Sequence, residues 1–151
     1  MNLKAASLGI VGKILMLFIV INIVGDVGNV LVWWTNPSTR ALSLNTGYIG
    51  VAAGAEGALI AGTVILLVVA VVYVVALFGL MRRQNWAPLL VIAISVANRV
   101  LALFLYAISA AFLLWAVWTV ILVVLAYLVW RKMNKPLSKL WGSGASSRTN
   151  N

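Results

Sequence analysis

Two opposite charges stand inside apolar sequence: Asp26 in INIVGDVGNV (residues 21–30) and Arg99 in ISVANRVLAL (residues 94–103). Asn22, Asp26 and Asn29 are spaced four and three apart, and Ser95, Asn98 and Arg99 fall within one turn, so on helices each trio shares an arc. A carboxylate and a guanidinium flanked by amides and a hydroxyl can form a hydrogen-bonded ion pair. They can equally line a polar cavity that takes an ion, a proton or a small solute. A lone charge at mid-membrane costs roughly 2.5–3.5 kcal/mol on insertion scales, and a partner with spare hydrogen bonds offsets much of that.

Little else in the chain can do chemistry. Glu56 is the only other acid, and Cys and His are absent. Their absence excludes thiol catalysis, disulfides, structural zinc, iron–sulfur clusters and histidine-ligated haem. The Met residues read as packing rather than as soft-metal ligands. There is no phosphate-binding loop and no nucleophile elbow, and no cofactor is expected. Asp26 and Glu56 would have to serve together as acid and base in any membrane enzyme. Their depths differ by more than half a leaflet, so joint catalysis is implausible and a non-enzymatic protein is expected. Trp115 and Trp118 read as packed aromatics, with a cation–π cage as the alternative.

The elements that must position these residues follow from composition. Of 151 residues, 64% are hydrophobic and 9% charged, and the mean hydropathy is +1.11. So few charges cannot cover a soluble domain of this length. Four apolar stretches approach the roughly 20 residues that cross a bilayer as a helix: about 14–34, 55–80, 86–106 and 110–130. The expected fold is all-α, a four-transmembrane-helix bundle over residues 1–140, followed by a Gly/Ser-rich disordered tail at 141–151. The first stretch is too long for a signal-peptide core and reads as a retained span. Pro88 falls in the first turn of the third helix, where its missing N–H costs nothing.

Charge gives the orientation. Lys4, Lys13, Arg82, Arg83, Arg131, Lys132, Lys135, Lys139 and Arg148 fall on one side of this topology and Arg40 on the other. The positive-inside rule then places both termini in the cytoplasm of a cell or cytoplasmic membrane. Trp33, Trp34 and Tyr106 mark the outer edge, Trp86 and Trp130 the inner. The net charge of +9 is thus topological, and it does not point to nucleic acid. The segment RKMNKPLSK would lie against anionic headgroups.

Depth links the two charges. Asp26 is 12 residues beyond Ile14, about 18 Å along a helix, and Arg99 is 13 beyond Trp86, about 19–20 Å. Both helices start from the cytoplasmic face, so the charges meet at one level and Asp26 is expected to pack against Arg99. Glu56 belongs near the outer interface, either as a wetted carboxylate at a helix start or, with Thr63 seven residues on, as an outer gate. Gly50, Gly54, Ala58 and Gly62 repeat every four residues, a small-residue ladder that admits a close helix contact within one chain or between copies. The expected role is a subunit or scaffold of a membrane oligomer, a homo-oligomer or part of a larger complex. The alternative is a small carrier or channel working through the Asp26–Arg99 site.

Overall fold

A computed structural model describes residues 9–36, 38, 48–105 and 110–134, with side chains described at 9–36, 38, 54, 56–102 and 113–134. It is all-α. Helix α1 spans Gly9–Thr35, α2 Tyr48–Met81, α3 Ala87–Leu105 and α4 Ala110–Met133. Among the described residues three helical segments are long and apolar enough to cross a membrane: Gly9–Thr35, Glu56–Met81 and Leu113–Met133. The apolar segment of α3, Ala87–Ala102, is shorter. The expected tail at 141–151 lies outside the described residues.

The helices pack in a ring. α1 lies against α2, α2 against α3, α3 against α4, and α4 closes back onto α1. This order makes α1 and α3 diagonal to one another. Neighbours run in opposite directions, so the start of α1 meets the end of α4: a Cβ placed on Gly9 would lie 2.7 Å from Lys132 Nζ. Midway along the same seam Phe18 and Trp118 stack, with ring centroids 4.3 Å apart and planes at 12°.

The core falls into two parts. A larger cluster joins all four helices through Leu15, Ile19, Val69, Tyr73, Leu80, Val91, Leu122 and Val129. A smaller one, Val30 and Trp33 against Ala58, Leu59 and Leu66, joins α1 to α2 at the opposite end. Outside, every helix turns bulky apolar side chains outward, among them Val24, Val71, Val100 and Leu114. In water such a surface would be costly, whereas in hydrocarbon it is the matching one.

Two glycines shape α2. At its C-terminus, Gly79 lets α3 approach closely: a Cβ there would sit 2.8 Å from both the Ala87 Cβ and the Trp86 ring. The turn that follows is capped by Arg82 N–H on Phe78 O, Arg83 N–H on Leu80 O and Gln84 N–H on Gly79 O. Pro88 opens α3 as expected and is fully buried. Nearer the N-terminus of α2, Gly54 adopts φ 75°, ψ 172° and interrupts the helix. That backbone region is essentially reserved for glycine. A Cβ at Gly54 would meet nothing within 4 Å.

This break falls within the small-residue ladder. A continuous Gly50–Gly54–Ala58–Gly62 face requires an unbroken helix, and the break at Gly54 ends it. Ala58 and Gly62 are buried, and Ala58 packs on α1 within the chain. Gly54 turns the backbone instead, and the surroundings of Gly50 lie outside the described residues.

Candidate functional site

Each helix contributes polar groups to the middle of the bundle. On α1, Asn22 and Asp26 are buried. The Asn22 amide donates from Nδ2 to the Phe18 carbonyl at 2.7 Å, one turn back on its own helix. On α2, the buried Tyr73 hydroxyl lies 2.9 Å from Ser95 Oγ of α3. Ser95 has a single hydroxyl proton and donates it to the Val91 carbonyl at 2.6 Å. Tyr73 is therefore the donor to Ser95.

Arg99 continues the chain of contacts from α3 to α4. Its Nη2 donates to Thr119 Oγ1 at 2.8 Å and to the Trp115 carbonyl at 2.9 Å. Its Nε also reaches Thr119 Oγ1 at 3.2 Å. Thr119 in turn donates to the Trp115 carbonyl at 2.9 Å. A hydroxyl and a carbonyl one turn apart thus present two acceptors to the planar guanidinium fork.

Asp26 is the exception in this network. It is 5% exposed, and its Oδ2 is buried without a hydrogen-bond partner. Asp26 and Arg99 are expected to pack together; the Arg99 hydrogen bonds described above run to Thr119 and Trp115 of α4. α3 adjoins α4 and lies diagonal to α1.

The remaining candidates lie apart from this centre. Asn29 and Asn98 are partly buried. Glu56 is exposed, two residues past the Gly54 break. Thr63 accepts a hydrogen bond from Trp34 Nε1 at 3.0 Å, which ties α2 to α1 near that end. Arg40, the contact envisaged for Glu56, lies outside the described residues.

Tyr73 and Thr119 are the site residues that charge-based reading passes over, because each is an uncharged hydroxyl set in a largely apolar stretch of its helix. The depth arithmetic that relates Asp26 to Arg99 finds them too. Tyr73 stands eight residues before Met81 and Ser95 eight after Ala87, about 12 Å in each case. Thr119 is 14 residues before Met133 and Arg99 12 after Ala87, about 21 and 18 Å.

Beside Asn22 the α1–α4 seam opens into a groove of about 280 Å³, lined by Ile21, Asn22, Gly25, Leu114, Trp115 and Trp118. Its walls are apolar except for the Asn22 amide. Gly25 opens one side: a Cβ there would lie 3.9 Å from the Trp115 ring, an ordinary contact. Comparison with protein-family models, with curated proteins and with solved structures gave no match for this chain.

Proposed function

We propose that this chain is a four-span, non-enzymatic integral membrane protein with both termini in the cytoplasm, and that its central cluster handles a small solute or ion. One observation carries the reading: the buried Asp26 Oδ2 with no hydrogen-bond partner. A carboxylate kept only to hold helices together would have its oxygens satisfied, since an unsatisfied buried polar atom costs about 1–3 kcal/mol. Retained ionisable groups inside membranes commonly mark binding or conduction paths. The hydroxyl protons of Tyr73, Ser95 and Thr119 are committed to other acceptors. Oδ2 is left to a proton, a cation or a donating solute.

A second reading, a subunit or scaffold of a membrane oligomer, is favoured by the cross-ties. Tyr73 to Ser95 joins α2 to α3, and Arg99 to Thr119 joins α3 to α4. Such hydrogen bonds fix which helices adjoin.

Asp26→Leu separates the two. Leu is of similar size and removes the unsatisfied carboxylate, so under the solute-site reading the melting temperature in detergent should hold or rise. Proton or potassium flux through vesicles containing the protein should fall. A clear loss of melting temperature, with wild-type and variant vesicles equally tight, would leave the scaffold reading in its place.

A further inference from the structure

We infer that the solute handled at the central cluster is the proton, and that Asp26 carries it as a carboxylic acid in the resting fold. This rests on reading the cluster as a solute site, and it names the solute.

Room decides first. Asp26 Oδ2 is buried and accepts no hydrogen bond, so no space the size of a water molecule adjoins it. The α1–α4 groove passes Asn22 and Gly25 but is not lined by Asp26. A molecule lodged in the groove therefore leaves this oxygen untouched. A divalent metal ion needs about six or more oxygens around it. Among the described residues no three His, Cys, Asp or Glu side chains gather to supply them. The proton alone needs neither a cavity nor a ligand set, because it bonds to one lone pair of Oδ2.

Energy points the same way. Asp26 is 17 residues from Gly9 and nine from Thr35, about 25 and 13–14 Å from the ends of α1. That is well inside the apolar segment. A bare carboxylate there costs far more than the neutral acid, and a group so placed takes up a proton instead. The hydroxyls of the cluster do not relieve it. Tyr73 donates to Ser95, Ser95 to the Val91 carbonyl and Thr119 to the Trp115 carbonyl. The titratable or charged groups that the other helices bring to this level are Tyr73 of α2 and Arg99 of α3, while α4 brings the neutral Thr119. Loading forms one O–H bond at Oδ2: a hydronium ion gives up its proton and becomes water, and the site passes from one negative charge to none. Release reverses both changes.

The sequence makes the site easy to observe, because Asp26 is the only Asp in the chain. Aspartate labelled with ¹³C at the side-chain carboxyl marks it without any substitution. In infrared spectra of the full chain in lipid vesicles at neutral pH, a protonated-carboxyl C=O stretch should be present. It should move down on ¹³C labelling, move again on transfer to D₂O, and vanish in Asp26→Asn. In the same vesicles, given a pH gradient or a potassium gradient in turn, Asp26→Asn should slow proton flux at least tenfold and leave potassium flux unchanged. Absence of a label-sensitive band would show Asp26 ionised and would overturn the proposal, as would a band that never responds to D₂O. Potassium flux lost while proton flux persists would overturn it too, yet would leave the solute-site reading standing with a different ion. A labelled band with neither flux dependent on Asp26 would overturn the proposal together with that reading.

Discussion

At the scale of single residues, the central cluster divides into satisfied and unsatisfied groups, and substitutions should rank accordingly. Tyr73→Phe removes one neutral hydrogen bond to Ser95, whose own proton remains on Val91 O. Its expected cost is about 0.5–1.5 kcal/mol. Thr119→Val is nearly isosteric but strips the acceptor that Arg99 engages through both Nε and Nη2. Hydrogen bonds to a charged group contribute about 1.5–3 kcal/mol, so this change should cost more. Melting temperatures in detergent decide the order; Tyr73→Phe as the worse of the two would show that Thr119 is not a principal support of the guanidinium. The charges of this site were legible in the sequence because an ionised residue inside an apolar run has few explanations. The hydroxyls were not, because Tyr and Thr are unremarkable in a helix until their depths are matched against a partner. The hydrogen bonds of Arg99 were also hidden. One of its acceptors is a backbone carbonyl, and residue types do not advertise those.

At the scale of elements, the helices follow apolar runs: 86–106 was expected where α3 covers Ala87–Leu105 and 110–130 where α4 covers Ala110–Met133, while α1 and α2 begin five and seven residues before the expected 14–34 and 55–80. What the pattern could not distinguish was a glycine that permits contact from one that bends the chain. Both read as "small" in a four-residue repeat, and only the backbone angles separate them. Three alanine substitutions should therefore differ in sign. Gly28 is helical with nothing within 4 Å of a built Cβ, so Gly28→Ala should stabilise by about 0.5–1 kcal/mol. Gly54→Ala has open space as well, yet it forces a side chain into a glycine-only conformation and should cost about 1–3 kcal/mol. Gly79→Ala would drive a methyl group into Ala87 and the Trp86 ring at 2.8 Å, so the α2–α3 turn must open. It should be destabilising too, and a smaller residue at Trp86 should relieve part of its cost but none of that of Gly54→Ala. Thermal melts of the three single variants and the two pairs with Trp86→Leu would check this. Equal effects of Gly28→Ala and Gly54→Ala would contradict the break in α2.

At the scale of the whole molecule, the antiparallel ring sorts the chain ends. The start of α1, the end of α2, the start of α3 and the end of α4 share one face, and Gly9 beside Lys132 shows two of them meeting. The exposed Lys13, Arg82, Arg83, Arg131 and Lys132 all belong to that face. Ser38 follows α1 at the other. Arg83 is informative because it occupies φ 56°, a left-handed conformation that glycine adopts with less strain at helix C-termini. A residue selected only for the turn would be Gly; an Arg there is consistent with a need for positive charge at this face. If all four helices span, this face lies in the cytoplasm. Cysteines introduced into the Cys-free chain at Arg83 and Asn134 should then react with a membrane-impermeant thiol reagent only in inside-out vesicles. One at Ser38 should react only in intact cells. Arg83→Gly should improve the turn by up to about 1 kcal/mol while weakening the charge bias. Raised melting temperature together with a mixed labelling pattern would thus be its combined signature. Reaction of Ser38 and Arg83 from the same side would rule out four spans, because an even number of crossings between them could not be reconciled with α2 crossing once.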